Sequence, residues 1–394
     1  MKTGRLSPTV RLTAVYAYAA MTLLGAVLTI VNSTQSRLAE SYGVAVNRIS
    51  LLISCMGVGR LLIQAVCGAL SDRLGRKNLS LIGFLGMLVY FGVMPMVTSL
   101  LGGMLMCVFC GVAYGMVNTT MLALVFDCYA GTGRSQAAQV RVQTVYALGG
   151  ILVPLGAGAL LDGGMPWTYL YWMWGAATLL MILLHRFIHF PPTAACAAAE
   201  NGYVRMPSLK KEGALLLVGT FCLYGAHTMG LTWMTTLAAG NTAMGHAEAV
   251  RVLSIFSLGA LLGSLAMIRL VGRFANLQLL TWSPLLAACF FALCILTHHP
   301  WVFRGGALLA GMCTGSLFNL LVGEGGYMFP HISGTISGLM ATASGAASLV
   351  VPALTGWMLD GLTIQAMFCA VFLLLLTGVI AIAALRRRDR LLRA

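Results

Sequence analysis

The sequence predicts an all-α membrane protein with twelve transmembrane helices in two six-helix pseudo-symmetric bundles. Three observations predict it. The 394 residues are 59% hydrophobic and only 9% charged, with a mean hydropathy of +0.90. A soluble domain carries about 25% charged residues, so this chain buries its apolar surface in lipid. Long apolar runs recur from one end to the other, and the second half of the chain repeats features of the first at a near-constant offset.

A spanning helix needs about 20 mainly apolar residues. Runs that qualify lie at 11–32, 45–71, 78–97, 100–126, 137–162, 167–190, 213–239, 247–270, 277–297, 302–323, 333–360 and 363–385. Gly and Pro inside them do not argue against helices, because membrane helices tolerate both. The first run follows Lys2, Arg5 and Arg11 and is too long for a signal-peptide core, so it reads as an uncleaved first helix.

With the N-terminus in the cytoplasm, the inner side receives Lys2, Arg5, Arg11, Arg73, Arg76, Lys77, Arg134, Arg141, Arg186, Arg205, Lys210, Lys211, Arg269, Arg273, Arg386, Arg387, Arg388, Arg390 and Arg393. Those are 19 of the 24 Lys and Arg. The outer side receives four, Arg37, Arg48, Arg251 and Arg304. The bias predicts both termini inside. The stretch PPTAACAAAENGYVRMPSLKKEG, residues 191–213, is the longest polar interval and reads as a linker. The expected division is 1–190, a cytoplasmic linker at 191–212, and 213–394.

Composition also excludes classes. The net charge of +14 does not point to nucleic acid, since the basic residues sit in short groups between apolar runs. The eleven Cys are scattered, and no zinc spacing occurs; Cys107 and Cys110 form a lone CxxC inside an apolar run. No GxxxxGK[ST] loop and no plausible nucleophile/base pair is present. Neither an enzyme nor a cofactor is expected.

The repeat is specific. VPLGAGALLDG begins at Val153 and VPALTGWMLDG at Val351. Val153/Val351, Pro154/Pro352, Gly158/Gly356, Leu161/Leu359, Asp162/Asp360 and Gly163/Gly361 all match at 198 positions. RLVGR at 269–273 follows DRLGR at 72–76 by 197. The fifth and eleventh helices, and the turns after the second and eighth, are therefore expected counterparts.

The turn reads Gly68, Ala69, Leu70, Ser71, Asp72, Arg73, Leu74, Gly75, Arg76, Lys77. It resembles the major facilitator signature G-x-L-x-D-R-x-G-R-K between helices two and three, and with the twelve runs, the linker and the repeat the resemblance covers the whole chain. Around ISCMGVGRLLIQAVCGALSDRLGRK and RVLSIFSLGALLGS the pattern also looks like the YdiM/YdiN-type carriers of enteric bacteria. Gly68 lets a neighbouring helix approach, and Gly75 permits a sharp turn. Asp72 is expected to meet a helix N-terminus near Ser333 to Thr335, and Arg76 to reach Asp127 at the inner end of helix four. The resemblance implies that Gly68, Asp72, Arg73, Gly75, Arg76 and Asp127 form a gate that holds the cytoplasmic side closed. Read without it, these charges only set orientation. In the second copy Arg269 stands where Asp72 stands in the first, so that copy receives no role.

Arg60 stands apart from the turn. It precedes Asp72 by twelve residues, which at 1.5 Å per residue is about 18 Å inside the helix end, close to the middle of a 30 Å core. A lipid-facing Arg there costs at least about 2.5–3.5 kcal/mol, so it should face the interior. None of the ten acidic residues lies near a helix middle, which invites a substrate anion. A guanidinium suits a carboxylate; the other reading is that Arg60 bonds backbone carbonyls and stiffens its helix. His227, near the middle of helix seven, could carry a proton or bond substrate, or be a satisfied interior histidine. Asn118 and Asn319 are near-counterparts on helices four and ten, and Tyr114, Tyr224 and Trp233 could wall a pocket or simply fill the interior. Gly111, Gly115, Gly311 and Gly315 repeat at i, i+4 and allow close helix contact.

The expected function is secondary active transport of a small organic anion, a carboxylate anchored by Arg60, across a bacterial inner membrane by alternating access. A coupling proton would ride on His227 or the substrate, and the chain would work as a monomer in the lipid bilayer. The alternative is an exporter of amphipathic drugs or other neutral compounds. Its support is 23 Met and GGILVPLGAG, which only partly resembles the antiporter motif G-x-x-x-G-P-x-x-G-G because Val153 precedes Pro154.

Overall fold

A computed structural model describes residues 7–44, 46–130, 132, 134–162, 165–191, 206–244, 246–358 and 361–393. Within its helices, the side chains of Asp72, Pro154, Gly158, Leu161 and Asp162 lie outside the described set, as do Gly163, Asp360 and most of the 191–212 linker. The described residues are helical, with no strand among them.

The helices are α1 Pro8–Ser33, α2 Gln35–Tyr42, α3 Ser50–Leu74, α4 Arg76–Val93, α5 Leu100–Cys128, α6 Ser135–Asp162 and α7 Thr168–His185, followed by α8 Ala214–Asn241, α9 His246–Leu270, α10 Asn276–Leu296, α11 Pro300–Thr314, α12 Leu317–Met328, α13 Ser333–Met358, α14 Ile364–Phe368 and α15 Ala370–Arg393. Nine described helical runs are long and apolar enough to cross a membrane. The helices α3, α6 and α7, of 25, 28 and 18 residues, are not among those nine.

Starts and stops follow local chemistry. Ser7 caps α1 by accepting from the Val10 amide, with Pro8 in the first turn, and Ser99 caps α5 by accepting from Gly102 at 3.2 Å. Both satisfy donors that a helix start leaves without partners. Gly43 ends α2 in the left-handed region at φ 63°, and Gly75 separates α3 from α4 at φ 87°, where a side chain would be strained.

Two compact units result. Unit 1 holds Met1–Ser135, Thr144–Cys196 and Pro330–Thr342. Its central helix is α5, packed against α1, α3 and α4. From Gly111 to Cys128 nearly every residue of α5 is buried, as expected of a helix apolar on all sides. Unit 2 holds Gln136–Gln143, Ala197–Phe329 and Ala343–Ala394. There α11 packs on α9 and α10, and α8 packs on α9, α12 and α15.

Several boundaries differ from the sequence reading. The tenth pass, expected as one helix, breaks at Gly315 and Ser316 into α11 and α12. The last helix runs to Arg393 instead of stopping near 385, because Arg388 pairs with Glu212 and Arg393 pairs with Asp389 at 3.0 Å, one turn away. The short α2 was not foreseen; its polar sequence QSRLAESY carries an Arg37–Glu40 pair at 3.0 Å.

Candidate functional site

In unit 1 the backbones of α3 and α5 lie almost in contact. A methyl group on Gly59 would collide with the Val108 carbonyl, and one on Gly111 with the Met56 carbonyl. Close backbones leave the next side chain to lie along the seam. Arg60 does so, half-buried, with its guanidinium carbon 4.6 Å from the centre of the Tyr114 ring. A cation over an aromatic face is favourable by about 0.5–2 kcal/mol. Tyr114 in turn donates to the Tyr146 hydroxyl at 3.2 Å. Asn118, one turn further along α5, is buried.

Gln64, one turn beyond Arg60, escaped the sequence reading. It is fully buried, and among the described residues neither its amide nitrogen nor its oxygen has a partner. A buried amide without hydrogen bonds costs about 1–3 kcal/mol. The signal was available: a Gln in an apolar helix, four residues after the Arg.

Unit 2 holds a second constellation. His227 stacks on Phe256 with ring centres 5.4 Å apart, and its Nδ1 lies 2.9 Å from the Thr314 hydroxyl. That hydroxyl donates to Ala310 O at 2.9 Å. Thr314 has one proton to give, so it accepts from Nδ1–H, which leaves Nε2 of the neutral ring as an acceptor. Tyr224 stacks edge-on against Phe318 at 5.6 Å. Asn319 donates to Gln143 at 3.0 Å, and Trp233 donates to Thr355 at 2.7 Å. The predicted residues thus fall into separate clusters: Arg60, Tyr114 and Asn118 in unit 1, and His227, Tyr224, Asn319 and Trp233 in unit 2.

The charged turn is largely buried. Arg76 pairs with Asp127, both nearly inaccessible, and donates to Ser333 at 2.8 Å. Gly68 lies so near the first turns of α13 that a methyl group would strike Gly334 O. Arg73 is exposed, and Asp72's side chain is outside the described residues. Arg76 therefore reaches the helix start near Ser333, and the contact expected there for Asp72 falls outside the described residues.

The second copy of the turn holds a surprise. Arg273, the counterpart of Arg76 at the 197 offset, is exposed. The buried place is taken three residues later by Asn276, which donates to Glu324 at 2.8 Å and to Leu320 O at 3.0 Å. Gln136 also donates to Glu324, at 2.9 Å. Glu324 is buried. It escaped notice because it lies near a helix end, where an acid ordinarily reaches water, and its donors are 188 and 48 residues distant.

Comparison with known proteins agrees with this architecture. The Major Facilitator Superfamily model matches residues 12–348. The chain is 26% identical over 339 residues to YfkL, an uncharacterized MFS-type transporter of Bacillus subtilis, covering 84% of this chain and 85% of that one. It is 24% identical over 330 residues to the inner membrane transport protein YdiN of Escherichia coli, covering 82% and 77%. Among solved structures, FucP of E. coli in the outward conformation superposes with a TM-score of 0.78 at 14% identity, covering 98% of this chain and 99% of that one.

Proposed function

The chain belongs to the Major Facilitator Superfamily of membrane transporters, and from that premise we propose that it carries a small organic anion, a carboxylate, by secondary active transport. The observation that supports this reading is Arg60 lying against the Tyr114 ring at 4.6 Å, mid-way along α3. Stacking engages the face of a guanidinium, and its N–H edge is the part that matches a carboxylate. Gln64 and Asn118, each one turn from a member of the Arg60–Tyr114 pair, add amide donors and acceptors. His227 offers Nε2 as an acceptor for a substrate hydroxyl or a proton. We assign both termini to the cytoplasm of a bacterial inner membrane, the bundles to 1–190 and 213–394, the Arg76–Asp127 cluster with Gly68, Asp72, Arg73 and Gly75 to the gate, and function to the monomer.

The test is uptake into proteoliposomes across a panel of carboxylates, with and without a pH gradient. Wild-type protein is expected to accumulate one class of carboxylate, and Arg60→Ala, folded by its thermal melt, to lose that uptake; Arg60→Lys should retain only a small part of it, since the ammonium lacks the planar fork. Undiminished uptake by folded Arg60→Ala protein removes the proposal. The aromatic cluster of Tyr224, Phe318, His227 and Phe256 favours an exporter of neutral or amphipathic compounds as the second reading. A thermal-shift screen of carboxylates against lipophilic cations separates the two.

A further inference from the structure

The two charged-turn regions bury an acid in each unit but partner it differently. Asp127 meets the guanidinium of Arg76, a permanent cation. Glu324 meets two neutral amides, Asn276 at 2.8 Å and Gln136 at 2.9 Å, both on the same carboxyl oxygen. An amide can donate to a carboxylate or, turned over, accept from a carboxylic acid, which a guanidinium cannot do. Among the described residues the Asn276 carbonyl oxygen is buried with no partner, so turning that amide over would bring an acceptor to a carboxyl proton without breaking a bond of the oxygen. An ionised carboxylate taken from water without a matching cation favours its neutral form.

The surroundings bear this out. Among the described residues, the charges of α15 nearest Glu324 are Asp389 and Arg393, and these two pair with each other at 3.0 Å. On its own helix the neighbour is Tyr327, against whose ring Arg393 rests. The only titratable side chains of α10 are Cys289 and Cys294. Those of α8 are Cys222, Tyr224 and His227, and His227 is engaged at Thr314, ten residues before Glu324. On the first turns of α6, Arg141 is exposed.

We propose that Glu324 is a proton-binding site of this carrier, alternating between a carboxylate held by Gln136 and Asn276 and a neutral acid that donates to an amide oxygen. In the first state the carboxylate ties the start of α6 and the start of α10 to α12. In the second, a proton on the shared oxygen leaves it one lone pair fewer and adds an O–H donor, so one of the two amides must turn over or give up its bond.

The experiment needs no knowledge of the cargo and stands or falls apart from the Arg60 reading. Infrared spectra of the full-length protein in lipid, taken from about pH 5 to about pH 9, report the carbonyl stretch of a protonated carboxyl group. The expected result is a pH-dependent band in wild type that is lost in Glu324→Gln, an isostere that keeps the amide contacts. Asn276→Arg should also abolish it by giving Glu324 the permanent partner Asp127 has. A wild-type minus Glu324→Gln difference that shows no pH-dependent carboxyl band overturns the proposal, as does a band that persists unchanged in Asn276→Arg.

Discussion

Tyr114 and Thr314 occupy the same place in the two repeats, 200 positions apart, yet they serve different neighbours. Tyr114 supports Arg60 from α5, whereas Thr314 accepts from His227 on α8. Replacing Thr314 by Val keeps the shape and leaves Nδ1–H of His227 without an acceptor. A loss of about 1–3 kcal/mol is expected, read as a lower melting temperature of the purified protein. Gln64 invites the opposite experiment. Gln64→Leu removes two buried polar atoms that have no partners among the described residues, so the melting temperature should rise. If Gln64 serves the cargo, transport falls while stability climbs. A variant that is both more stable and fully active would assign Gln64 no part in binding.

At the scale of elements, the seams between helices are made by absent side chains. Gly111 on α5 and Gly311 on α11, again 200 positions apart, each face a carbonyl of the helix opposite, that of Met56 and that of Phe256. Small residues let backbones approach and replace the missing hydrophobic drive with close contact. Gly111→Leu must therefore force α3 away from α5. A destabilisation of about 1–3 kcal/mol is expected, with Arg60 losing its register against Tyr114 and uptake falling with it. The Arg76–Asp127 pair joins α4 to α5 in the same unit. Arg76→Ala leaves a buried carboxylate alone and should cost about 3–5 kcal/mol, whereas Arg76→Met combined with Asp127→Leu should recover much of the loss. Melting temperatures of the single and double variants in one detergent measure both.

For the whole molecule, the division of information between sequence and structure has a physical basis. Helix passes were legible because a bilayer demands about 20 apolar residues in a row, a constraint local to each segment. The charged turn was legible because Gly75 at φ 87° and Gly68 at a crossing are requirements of backbone geometry that only glycine meets. What stayed hidden depended on distant partners. Glu324 looks like an acid at a helix end until Gln136 and Asn276 are brought to it. The break at Gly315–Ser316 was invisible since membrane helices accept such residues without breaking. The 191–212 linker adds nothing to this account, as most of it lies outside the described residues. Orientation can be tested on the intact chain: reporters fused before Met1 and after Ala394 should both read the cytoplasm, and a split result would reverse the charge argument.

The interruption of the tenth pass has a mechanical meaning. Above it, α11 is seated on α9 by Gly311 and carries the threonine that steadies His227. Below it, α12 carries Glu324. Ser316 sits at the interruption with its hydroxyl buried and, among the described residues, unbonded, between a last bond of the upper segment, Gly315 N–H to Gly311 O at 2.9 Å, and a first bond of the lower one, Leu320 N–H to Ser316 O at 3.0 Å. The run is jointed like a knee. If Glu324 takes up a proton as proposed, a swing confined to the lower segment would leave the histidine above its footing on Thr314, so charging one end and holding the other would be separable motions of a single strand of chain.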